Sequence, residues 1–169
     1  MEDTLEVWQR GPITGITPLL QPIAHALKQA AEEVQAIMEN FPERLLWEKP
    51  ASVASPAFHL QHVAGVIDRL FTYARQQSLT PAQLHALTIE GDCRATTATM
   101  AELVAAVCRQ IDLAVEELSR VDPEELTRNR VVGRKRLGTT LIGIYVHTAE
   151  HTMRHIGQLS VTVRVLKNL

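Results

Sequence analysis

At Ser55-Pro56 and again at Thr80-Pro81 a hydroxyl side chain stands directly before a proline, and a stretch without strand-like alternation follows. The hydroxyl can accept a hydrogen bond from an early helical N–H. Proline suits the first helical position, because the N–H it lacks would have no partner there. Each pair therefore marks a helix start. From Pro56 the apolar positions Phe58, Val66, Leu70 and Tyr73 carry a helix over about 56–76, and Thr80-Pro81 opens a short one that ends before Gly91. Thr99 and Glu102 form a capping box for a helix over about 99–120. Upstream, a helix is expected over about 17–40, with Pro18 near its start, Pro22 in its first turns and Phe41-Pro42 closing it. The last helix is expected from Thr139 or Thr140 to about Lys167.

Between these helices, Asp122-Pro123 breaks the chain. Residues 123–138 carry Arg128, Arg130, Arg134, Lys135 and Arg136 with Gly133 and Gly138 and no sustained period, which reads as a basic connection. Aromatic residues are only 4% of the chain and alternating β-branched runs are nearly absent, so strands have little to build on. Four long helices and a short one imply an all-α fold, an antiparallel four-helix bundle with a short extra helix and one or two longer crossovers. With 169 residues the chain is expected to form one domain over 1–169.

The net charge of -2 offers no global attraction to nucleic acid or to an anionic membrane, and neither is expected as a partner. Charges interrupt the apolar stretches well short of the roughly 20 residues that span a bilayer. The acidic start Met1-Glu2-Asp3 is unlike a signal peptide, so a cytoplasmic location is expected. Cys93 and Cys108 lack C-x-x-C spacing and read as core residues. Trp8 and Trp47 are expected to pack the ends of the bundle or a dimer face.

The chemistry lies in the histidines. His147, His151 and His155 are each four residues apart on the last helix, a step of about 40° around the axis and about 6 Å along it. Adjacent imidazoles at that spacing can chelate one ion. On the helical wheel His151 and His155 share the stripe of Ile144, Thr148, Gln158, Thr162 and Leu166, while His147 falls nearer its edge. Polar rings within an apolar stripe cost roughly one to a few kcal/mol unless they find partners. His62, on a face with Phe58, Val66, Arg69 and Tyr73, offers a third ligand from another helix. The competing explanation is that these are hydrogen-bonded or solvent-facing histidines, and spacing alone leaves the two evenly balanced. A three-imidazole site suits zinc or nickel first, with iron, manganese or copper also compatible, and leaves coordination positions open.

The stretch Phe58-His59-Leu60-Gln61-His62-Val63-Ala64-Gly65, taken with His151-Thr152-Met153-Arg154-His155-Ile156-Gly157-Gln158-Leu159, is similar to the signature of the DinB/YfiT-like superfamily. The runs Leu70–Arg75 and Leu79–Leu84 resemble a DinB-like subgroup, and the likeness covers most of the chain. It implies a four-helix bundle, often dimeric, with a metal held by His62, His151 and His155. His59 would be a neighbour rather than a ligand and Gln158 would support the site from behind, while His147, outside the motif, would either support it or lie at the surface. The resemblance further implies a metal-dependent enzyme of the thiol S-transferase or hydrolase type. It would act on a small-molecule substrate with a low-molecular-weight thiol as cosubstrate, in a homodimer.

Arg69 and Tyr73, on the His62 face, are candidates to orient substrate or donate a proton; capping the core is the plainer role for both. Two alternatives stand beside the enzyme. One is a non-catalytic metal-binding or dimeric stress-associated module whose ion braces the helices. The other is an inverted-motif zinc peptidase, since His147-Thr148-Ala149-Glu150-His151 fits H-x-x-E-H with Glu150 as base. Glu150 is equally explained as an i,i+4 partner of Arg154. The segment Arg128 to Arg136 could meet an anionic substrate, though a solvated loop explains it as simply.

Overall fold

The computed structural model describes residues 5–168. Its five helices are α1 (Gln21–Met38), α2 (Pro56–Ala74), α3 (Pro81–Ile89), α4 (Met100–Leu118) and α5 (Leu141–Lys167). The starts obey the side-chain chemistry of their caps. The hydroxyls of Ser55, Thr80, Thr99 and Thr140 accept hydrogen bonds from the amides of Phe58, Gln83, Glu102 and Gly143 respectively. Thr80 and Thr99 complete reciprocal capping boxes with Gln83 and Glu102. Pro18 opens a separate 3-10 turn, Pro18–Leu20, so the expected first helix begins as α only at Gln21, with Pro22 in its first turn.

The long helices pack in a ring in the order α1, α4, α2, α5, so each touches two others. The links from α1 to α2 and from α4 to α5 both cross the bundle, which accounts for the long connections between them. Each long helix buries one stripe. Leu20, Leu27 and Val34 meet Leu60, Val63 and Ile67, Val107, Ile111 and Leu118, and Ile144, Ile156 and Leu159 in one core. Burying side chains of this size contributes about 1.5–3 kcal/mol each before the cost of ordering them. No helix among the described residues is long and apolar enough to cross a membrane.

The basic connection, expected as an irregular loop, contains a hairpin. Strands β1 (Asn129–Val132) and β2 (Leu137–Thr140) pair antiparallel, with Asn129 opposite Thr140 and Val132 opposite Leu137. Gly133, at φ +72°, takes the left-handed backbone the turn requires. Arg130 is buried rather than solvated. Its Nε donates to the carbonyl of Ala74 at 2.8 Å and its Nη1 to that of Asn129 at 3.0 Å, fastening the hairpin to the open C-terminal end of α2. Arg128, Arg134, Lys135 and Arg136 are exposed.

Cys93 is exposed on the connection between α3 and α4 rather than in the core, and Cys108 is half-buried on α4. Trp47 packs against the core, whereas Trp8 lies on the surface in a 3-10 turn, its indole N–H donating to Glu6 at 2.7 Å.

Candidate metal centre

Helices α2 and α5 lie side by side, and their facing flanks bring three imidazoles together. One ring nitrogen from each of His62, His151 and His155 lies within 4.8 Å of the others. The Nε2 atoms of His62 and His151 are 2.9 Å apart, and the ring centroids of His62 and His155 are 4.4 Å apart. All three side chains are half-buried, so the cluster sits at the rim of the core rather than inside it. The phase of α5 explains this. Its buried stripe runs through Ile144, Thr148, Thr152, Ile156, Leu159 and Val163, one position away from the histidine row, so His151 and His155 flank the stripe instead of lying at its centre.

Hydrogen bonding alone does not satisfy these rings. His62 Nδ1 pairs with Glu90 Oε2 at 2.7 Å, and its Nε2 faces His151 Nε2 at 2.9 Å. His151 Nδ1 is buried and finds no partner. His155 Nδ1 meets His59 Nδ1 at 3.1 Å. Four imidazoles that can bond mostly to one another, with one nitrogen left over, form a donor set that a borderline-soft divalent cation fits. The Phe58 ring stacks on His62, 5.2 Å between centroids and 10° from parallel, and shields it from one side.

Electrostatics favour bare nitrogen lone pairs. Burial, then the neighbouring His62, pulls both His59 and His155 down to about 4, and burial likewise lowers His151. At neutral pH these rings are uncharged, the form that ligates metal. Burial pushes Glu90 up, but hydrogen bonds from His62 and Arg69 outweigh it and leave the carboxyl below its usual range.

Glu90 has no counterpart in the sequence reading. It caps the C-terminus of α3, a helix that buries no residue of its own, and reaches back 28 positions to His62. Its other oxygen accepts from Arg69 Nη1 at 2.7 Å, and both partners of that pair are less than a tenth exposed. Only a glycine at 65 leaves room for the pair. A Cβ there would come within 2.6 Å of Arg69 Nη1 and 2.9 Å of Glu90 Oε1. The next residue, Gly91, donates its amide to Gln61 Oε1 at 2.8 Å. Alternation and helical period carry no trace of such a contact, which is why sequence alone missed it.

Arg69 is buried and committed to Glu90, so it supports His62 from behind. Tyr73 is half-buried and lies 11 residues from His62 on the same helix, about 16 Å along the axis. His147 is exposed, 3.7 Å from Glu150, with its ring 5.4 Å from that of His151. Gln158 is exposed, one heptad beyond His151 and about 10 Å further along α5. Glu150 is exposed and pairs with Arg154. His59, read as a neighbour, is buried against His155.

Together, a helical bundle and a three-histidine cluster between its second and last helices define a candidate metalloprotein. The chain matches the DinB superfamily over residues 26–159 and belongs to it. Among solved structures, an uncharacterised protein from Clostridium difficile 630 superposes with a TM-score of 0.66 at 14% identity, covering 91% of this chain and 98% of the other. A protein from Streptococcus pneumoniae superposes with a TM-score of 0.64 at 15% identity, covering 96% and 97%. At such identities the likeness concerns the fold. Comparison with functionally curated proteins gives no match.

Proposed function

We propose that the protein is a metal-dependent enzyme that holds one divalent ion, zinc or nickel, through His62, His151 and His155. On this reading it acts on a small molecule as a thiol S-transferase or a hydrolase. The observation that carries the proposal is the convergence of three half-buried imidazoles within 4.8 Å, from two helices, with a buried nitrogen of His151 left without a partner. Three protein ligands leave coordination open, the arrangement of catalytic rather than structural sites. When bound, the ion supplies Lewis acidity, activating water or a thiol at neutral pH. The protein's part is positional. Glu90 orients His62, His59 lies against His155, and Phe58 keeps water off one face of the ligand cluster.

The test is metal analysis of untagged protein. Wild type is expected to carry stoichiometric metal, and His62→Ala, His151→Ala and His155→Ala to lose it. Retention of metal by all three variants refutes the site. Holo protein should then conjugate a low-molecular-weight thiol to an electrophile or hydrolyse a small ester or amide. The histidines span α2 and α5, so an ion there would also cross-link two helices. That favours the second reading, a metal-braced module without turnover. A stabilising ion with no turnover in either assay would select it.

A further inference from the structure

Beyond the three imidazoles, α3 and the residues that close it meet α2 through polar contacts at both ends, the closing ones beside His62. Gln83 Nε2 donates to Asp68 Oδ2 and Thr72 Oγ1, each at 2.8 Å; Gly91 N donates to Gln61; and Glu90 bridges His62 and Arg69. No residue of α3 is buried, so these polar contacts, rather than apolar packing, seat the helix. We propose that Glu90 is a positioning residue of the metal centre, holding His62 as the Nδ1–H tautomer with Nε2 aimed at His151, and that metal binding is thereby coupled to the seating of α3.

The inference rests on the three-histidine reading for its metal, but its geometry is independent of it. An ionised carboxylate only accepts hydrogen bonds, so the nitrogen 2.7 Å from Glu90 must carry the proton. In a neutral ring the opposite nitrogen is then free to ligate. Without the carboxylate, His62 gains a second tautomer and a freely turning ring, and both reduce the fraction of molecules ready to bind. Arg69 fixes the carboxylate in turn, because its guanidinium is buried and has Glu90 as its ion-pair partner. Partners behind a ligating histidine are commonly worth 10–100-fold in metal affinity. The coupling runs both ways, since an ion that needs His62 oriented also favours the state in which Glu90 and α3 are docked.

Two measurements on the full-length chain test this. The first, without added metal, is the nitrogen-15 spectrum of the His62 imidazole. The Nδ1–H tautomer is expected in wild type and a mixture in Glu90→Ala; an Nε2–H ring, or a mixture already in wild type, overturns the proposal. The second is titration with Zn2+, with amide exchange across residues 81–92 as a parallel readout. Glu90→Ala should bind about 10–100-fold more weakly. Glu90→Gln should lose less, because its amide oxygen still accepts from Nδ1. Zn2+ should slow exchange over 81–92 in wild type, and this slowing should be lost in Glu90→Ala. Wild-type affinity in both variants overturns the proposal even if their melting temperatures fall, since a merely structural role would lower stability alone. A wild-type protein that binds no Zn2+ refutes the metal reading and the coupling, while the tautomer still judges what Glu90 does to His62.

Discussion

Substituting His59 by Asn should flatten the acid side of this protein's stability profile. His59 is 4% exposed and its imidazole titrates at about 4 instead of 6.5, held down first by burial and then by the neighbouring His62. The folded chain therefore binds fewer protons than the unfolded chain between those two values. Stability contributed by the neutral ring is present above 6.5 and is lost as pH falls through the window towards 4. Integrating proton uptake from pH 7.5 to pH 5 for such a shift gives a loss of about 2 kcal/mol. At this chain length that corresponds to a melting temperature lower by roughly 4–8 °C. His155 is shifted in the same direction, but its ring is half-exposed and its contribution is smaller. The assay is urea unfolding of chelator-treated protein at the two pH values, for wild type and for His59→Asn, whose amide can still meet His155 Nδ1. The wild type should lose about 2 kcal/mol or somewhat more, and the variant only the remainder. An identical loss in both would refute the assignment of the slope to His59, and no loss in the wild type would refute the burial argument itself.

Two further perturbations test the scaffold. Gly65→Ala places a methyl 2.6 Å from Arg69 Nη1, so the buried pair with Glu90 must shift, and thermal unfolding should show a destabilisation of about 1–3 kcal/mol; an unchanged melting temperature would mean the pair moves freely. Arg130→Met removes the guanidinium that caps the Ala74 carbonyl, at a cost of about 1–3 kcal/mol. Amide exchange in β1 and β2 should speed up by more than exchange in α4, and uniform acceleration would deny the local role.

What was legible in the sequence was whatever is written within a few neighbouring residues. Ser55-Pro56, Thr80-Pro81 and Thr99 with Glu102 each fix a helix start through a local hydrogen bond, and the structure begins helices at Pro56, Pro81 and Met100. The hairpin escaped because each strand has four residues, too few for alternation to show, and because Arg130 resembles its solvated neighbours until Ala74 is folded against it. The bundle was readable from period alone, but its phase only in part. The wheel grouped His151 and His155 with Ile144, Thr148, Thr162 and Leu166, all four buried, but also with the exposed Gln158, and the centre of the buried stripe passes through Thr152 and Ile156. A shift of one residue turns a helix by about 100°, and several polar residues on both sides of the row left that angle weakly determined.

Glu90 was illegible for a different reason. Its partners are His62 and Arg69, 28 and 21 positions away, and the chain returns to them through a short helix with no buried face. Nothing in local spacing ranks it above other carboxylates. Yet its placement gives the cluster a logic that packing does not. Helix α2 turns His59 and His62 towards α5 and Arg69 towards Glu90, where leucine and valine would cost less to desolvate. Glycine at 65 gives up a side chain so that the guanidinium can lie against the helix. Each choice weakens the local packing, and the large apolar core below offsets it. Locally costly residues that constrain one another's geometry are the pattern expected of a site shaped for chemistry rather than for stability. Here every one of those constraints leads to the orientation of a histidine nitrogen.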